Sequence, residues 1–133
     1  MVQVLCARGW DLQIERGPDW LFVRPHRPSG NSFVVPAPET SDLAEQVWAV
    51  LEQNFTHRLV LELDDIGHLN SHLIGQLVWL YKRIHTHDGT LRICGLSSRN
   101  EEVLRVSRLD GRFPLFETRE DAVMGFARPA HPR

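Results

Sequence analysis

LVLELDDIGHLNSHLIGQLVWLYKR, residues 59–83, decides how this chain reads. Leu59, Val60, Leu61 and Leu63 leave almost no polar face, the pattern of a strand covered on both sides. From Leu73 onward the period changes: Leu73, Ile74, Leu77, Val78, Tyr81 and Ile84 recur at helical spacing. Between the two lies a polar step, Leu69-Asn70-Ser71-His72. A doubly covered strand, a tight connection and an amphipathic helix make up half of a parallel strand–helix–strand unit.

The flanks extend this pattern. Upstream, Leu12-Gln13-Ile14-Glu15-Arg16 alternates, Gly17-Pro18-Asp19 turns, and Trp20-Leu21-Phe22-Val23 returns, which reads as a hairpin. Residues 1–6 are either a short strand or a lead-in. Residues 25–38 hold Pro25, Pro28, Pro36 and Pro38 and read as a loop, with a short extended piece at 32–35. Ser41 or Asp42 can cap a helix whose apolar face is Leu43, Val47, Val50, Leu51 and Phe55. Downstream of the key stretch, residues 91–94 read as a strand, 99–105 as a short helix and 113–116 as a last strand. Thr118 caps a final helix whose inner face is Ala122, Val123, Phe126 and Ala127. Hairpin followed by helix–strand alternation predicts an α/β fold with a mixed, mostly parallel sheet and helices packed mainly on one face.

The chain has 133 residues, 42% hydrophobic and 24% charged, with a net charge of −2. That fits a single domain over 1–133, its core spanning about 12–127 and residues 128–133 forming a disordered polar tail. The charge balance gives no reason to expect a nucleic-acid or membrane partner. Cys6 and Cys94 lack metal or redox spacing and read as reduced, buried thiols. Without a signal-peptide pattern or an apolar run of spanning length, the expected location is cytoplasmic.

Ser71 and Asn70 stand where a helix begins, and either can be a cap. A hydroxyl there can also carry a phosphate, which would meet free N–H groups and the positive end of the helix dipole. His72, Gln76, Trp79 and Arg83 are spaced by four, three and four, forming one stripe away from the Leu73/Leu77/Ile84 face. Trp and Arg are enriched among binding hot spots, so Asn70, Ser71, His72, Gln76, Trp79 and Arg83 form the expected protein-binding surface. Asp64-Asp65 is either a solvated loop exit or an acidic patch for a partner. Trp10 and Trp20 are expected in the core or hairpin. Neither a GxSxG elbow nor an HExxH pair occurs. A serine hydrolase using Ser71 and a histidine is the remote alternative, and no metal, cofactor or catalytic residue is assigned.

The run IGHLNSHLIGQLVWLYKR (66–83), then Gly89 before LRICGL (91–96), then VLRVSRLDGRFPLFETREDAV (103–123), resembles the STAS domain of bacterial anti-sigma factor antagonists. The resemblance implies a STAS-like fold and a non-enzymatic regulator that binds an anti-sigma factor, itself a serine kinase. It implies that phosphorylation of a hydroxyl in this loop abolishes binding. Ser71 falls at the first hydroxyl position and is the candidate acceptor. Asn70 stands where the family has an acid, His72 at the second hydroxyl position and Leu73 at a glycine, while Gly75 matches a later glycine. These departures give the alternative of a STAS scaffold that binds without being phosphorylated.

Overall fold

A computed structural model describes residues 2–7, 10–26, 43–109, 111 and 113–125, with side chains from Trp10 onward. Its elements run β1 (Val2–Ala7), β2 (Trp10–Arg16), β3 (Leu21–His26), α1 (Leu43–Gln53), β4 (Arg58–Glu62), α2 (Ser71–Thr86), β5 (Thr90–Cys94), α3 (Ser98–Val106), β6 (Leu115–Phe116) and α4 (Arg119–Met124). The six strands form one sheet in sequence order. β1–β2 and β2–β3 pair antiparallel. β3–β4, β4–β5 and β5–β6 pair parallel. The mixed sheet follows the expectation, and residues 2–7 resolve as a strand rather than a lead-in.

Alternation along the parallel strands sorts the core into two layers. Leu21 pairs with Leu59 and Val23 with Leu61, and Leu59 and Leu61 pair in turn with Leu91 and Ile93. All six face the helical layer of α1, α2 and α3, where Val47, Leu51, Leu73, Leu77, Leu80, Ile84 and Leu104 are buried with them. The opposite face carries Trp20, Phe22, Val60, Cys94 and Phe116, covered by Ala122 of α4. Three helices on one face and one on the other agrees with the expectation of helices packed mainly on one face. Trp10 and Trp20 are buried, as expected. So is Cys94, whose free thiol is pushed up to about 12, chiefly by burial and then by the Glu62 and Asp64 carboxylates.

Several local expectations change. Phe55 is not on the buried face of α1. It lies past the helix at φ 54° with its side chain 93% exposed, because the Asn54 side chain donates to the Val50 carbonyl and ends the helix there. Val123 is also exposed rather than on the inner face of α4, whose six residues present one buried position, Ala122. Pro25 falls inside β3 rather than in the loop. The extended piece at 32–35, the caps at 41–42, Phe126, Ala127 and the tail at 128–133 lie outside the described residues. No helix of the described residues is long and apolar enough to cross a membrane.

β4 brings one charge inside. Glu62 is 2% exposed, on the α4 face of the sheet. Arg24 of β3 donates to Oε1 at 2.9 Å, and Arg119 of α4 donates to Oε2 at 2.7 and 3.1 Å. Arg119 also pairs with Glu15 of β2 at 2.9 Å and lies 4.3 Å over the Phe22 ring. That bridge, led by its hydrogen bond, holds the Glu15 carboxyl below its usual range. Its stabilisation is therefore present above the ordinary carboxylate range and is lost as pH falls through the lowered value. At the other end of α4, Arg92 donates to the Ala122 carbonyl. One short helix is thus held at both ends by arginines. Glu62→Gln is expected to lower stability by about 2 kcal/mol, less than for a fully buried pair because both arginines keep contact with water. Urea unfolding measures it, and an unchanged midpoint would show that the network adds nothing.

Candidate protein-docking surface

The polar step between β4 and α2 is a held loop. Leu63 N–H donates to the Cys94 carbonyl at 2.9 Å, and Ile66 N–H to the Leu63 carbonyl at 3.2 Å. Asp64 lies 3.7 Å from Arg24, and Asp65 pairs with His26 at 3.0 Å. Asp64-Asp65 is therefore a loop exit whose two carboxylates are anchored to β3 side chains. From the other side, the Asn100 side chain of α3 accepts from Leu69 N–H at 3.0 Å and donates to the Ile66 carbonyl at 3.4 Å. Asn100 is fully buried. A buried amide is retained when its donor and acceptor are both satisfied, and here both are spent on the backbone leading to Ser71.

Asn70 supplies the cap. At φ −88° and ψ 174° its side-chain oxygen accepts from Leu73 N–H at 2.9 Å. Ser71 is the first residue of α2, exposed, and its hydroxyl makes no hydrogen bond among the described residues. The two readings of this step thus divide between neighbours: the cap falls to Asn70, and the serine hydroxyl is left available. No acidic residue stands in the first turn of α2. His72 is exposed, while Leu73 is 4% exposed and packs in the core. The bulk at the family's glycine position is therefore directed inward and does not crowd the surface around Ser71.

The predicted stripe splits along α2. Gln76 is half-buried and its Oε1 accepts from Ala44 N–H at 3.0 Å, so it satisfies a free donor in the first turn of α1 and braces the two helices. It therefore makes a helix–helix contact while staying partly open to solvent. Trp79 is 39% exposed. Arg83 is exposed, with its guanidinium 5.3 Å over Trp79 and 5.1 Å over Trp48. Trp48 is stacked in turn on His57 at 5.2 Å and touches His87 at 4.8 Å. On the α3 side, Tyr81 meets Phe113 edge-on at 5.5 Å. Asn70, Ser71, His72, Trp79 and Arg83 remain on the open surface.

A serine nucleophile needs a base within hydrogen-bond reach, and the Ser71 hydroxyl has none among the described residues. No cluster of three or more His, Cys, Asp or Glu among the described residues is placed to hold a metal. A cavity of about 270 Å³ opens on the α4 side of the sheet beside Arg24, Glu62, Asp64, Cys94 and Arg119, but its arginines are already committed to Glu62. Sequence reasoning missed Asn100 and the contact that Gln76 makes with α1, since each is one polar residue on an amphipathic helix and only the tertiary contact distinguishes it.

The STAS domain family model matches residues 35–122. Among solved structures, an anti-sigma-factor antagonist (STAS) domain protein from Planctomyces limnophilus superposes with a TM-score of 0.66 at 21% identity, covering 86% of this chain and 96% of that one. An anti-sigma factor antagonist from Mycobacterium paratuberculosis gives 0.64 at 20% identity over 94% and 93%. The anti-sigma factor antagonist SpoIIAA in its unphosphorylated form gives 0.58 at 14% over 88% and 99%. At such identities the likeness establishes the fold. No curated protein matches the sequence.

Asn100→Ala is expected to cost about 1–3 kcal/mol and to speed hydrogen exchange at the Leu69 amide. Urea unfolding and amide exchange measure the two effects. Wild-type protection at Leu69 would mean the loop is held by other contacts.

Proposed function

The chain belongs to the STAS domain family, and on that premise we propose that it is a non-catalytic, protein-binding regulator of the anti-sigma factor antagonist type, switched at Ser71. The observation that carries this reading is the exposed, unbonded Ser71 hydroxyl in the first turn of α2, with Asn70 providing the cap. A capping serine would have its oxygen engaged by the backbone. This one projects from a helix start that a phosphate suits, since nearby N–H groups and the dipole favour an anion and no first-turn carboxylate opposes it. A phosphate adds nearly two negative charges and a hydrated bulk to the surface that the partner meets. The partner is a protein, by family an anti-sigma factor with serine kinase activity.

A second reading, a scaffold that binds without phosphorylation, is favoured by Trp79 and Arg83, which offer an anchor independent of Ser71. On that reading Trp79→Ala and Arg83→Ala weaken binding and the state of Ser71 is immaterial.

Phosphosite mapping after incubation with ATP and a lysate of the native cell is expected to find phosphate on Ser71. Ser71→Asp is expected to weaken the captured partner's binding by about tenfold or more, while Ser71→Ala leaves it intact. Undiminished affinity for Ser71→Asp sinks the switch and leaves the scaffold.

A further inference from the structure

Gly75 lies inside α2, where glycine is among the poorest helix formers. Gly89 and Gly95 have structural reasons, and Gly67 and Gly111, where a Cβ would also meet nothing, lie outside the helices and strands. A Cβ at Gly89 would run into the His57 carbonyl, and Gly95 has φ +78° with Asp64 against it. At Gly75 an added Cβ meets nothing within 4 Å, and φ is not in the left-handed region. The residue is exposed. The fold itself therefore supplies no need for glycine here, and alanine would make a better helix.

Its neighbours on the helix surface supply a reason. Residues at i, i+3, i+4 and i+7 outline the hole that receives a side chain from a packing helix. For Ser71 these are Ile74, Gly75 and Val78; for Gly75 they are Val78, Trp79 and Lys82. Gly75 is shared by both holes and deepens them. Ile74 and Val78 are half-buried, packed against the core yet still reached by solvent. They give the first hole apolar walls, with the Ser71 hydroxyl on its rim. At the end of the second hole, Lys82 and its neighbour Arg83 are exposed and neither has a carboxylate partner among the described residues.

We infer that Gly75 is the seat of the partner: a helix of the partner protein inserts an aliphatic side chain into the hole formed by Ser71, Ile74, Gly75 and Val78 and sets a carboxylate against Lys82 and Arg83. The inference rests on the proposed docking function and specifies its chemistry. It also gives Ser71 a mechanical role, because a phosphate on the rim would put charge and water into the hole that receives the aliphatic group. Alanine at position 75 would fill the floor of both holes without disturbing the fold.

The test uses the full chain, immobilised and exposed to a lysate of the native cell, with retained proteins quantified for wild type, Gly75→Ala, Lys82→Glu and Trp79→Ala. Gly75→Ala is expected to melt about 3–5 °C higher than wild type and yet to retain the specific partner about tenfold less well. Lys82→Glu is expected to lose retention in a way that added salt no longer deepens. Wild-type retention by Gly75→Ala overturns the inference. If Trp79→Ala alone loses the partner, the docking function survives without this seat. If no variant changes retention, or the wild-type chain retains nothing specific, both fail.

Discussion

Strand β4 has no solvent face, and the rest of the structure follows from that constraint. Lying between β3 and β5 in parallel register, it must be covered by helices on one side and by α4 on the other. Parallel strands need a crossover, so the chain leaving β4 has to turn at the sheet edge and return as a helix. The residues making that turn are forced to the surface at a fixed place. Their backbone groups still need partners, which Asn100 supplies at Leu69 and Ile66, while Arg24 and His26 hold the Asp64 and Asp65 side chains. A well-held loop in an exposed position is a by-product of burying β4, and it is the kind of place where binding residues collect.

Helix α2 then divides its circumference among several neighbours. Leu73, Leu77, Leu80 and Ile84 face the sheet. Gln76 and Arg83 lean toward α1, one by a hydrogen bond and the other over Trp48. Tyr81 leans toward the segment after α3. Among the residues that stay exposed is a ridge of Ser71, Gly75, Trp79 and Lys82. Its mixture of a small residue, an aromatic and a cation differs from an ordinary solvated helix face, which is mostly charged.

The sequence made β4 and α2 legible because a change of period from an apolar run to helical spacing is visible in one stretch. The family resemblance rested on that stretch together with residues 91–96 and 103–123. Ser71 was legible as a helix start, but whether it or Asn70 caps the helix depends on one hydrogen bond that composition cannot assign. Asn100 and Gln76 were illegible for a related reason: a polar residue within an amphipathic helix reads as surface until its partner arrives from another element. Phe55 failed in the opposite direction. Its spacing fits the helix, but Asn54 ends the helix one residue earlier. The Glu62 network escaped notice because its four charges come from β2, β3, β4 and α4, and pattern reading within any one of them shows only an isolated charge.

The departure at Asn70 bears on the switch through electrostatics. With an acid at that position, a cap would already place a carboxylate at the helix start, and a phosphate on the next residue would face like charge at close range. Asparagine provides the same side-chain oxygen to Leu73 N–H without the charge. A phosphate on Ser71 would then meet the helix N-terminus alone. The loop beneath it is held by Asn100 and by the contacts of Arg24 and His26 with Asp64 and Asp65, which do not involve the Ser71 hydroxyl. Adding charge at Ser71 should therefore leave the fold's own contacts in place, so its effect falls on whatever packs against the ridge. That separation is what a surface switch requires: the modified group belongs to the interface, and the contacts that position it belong to the fold.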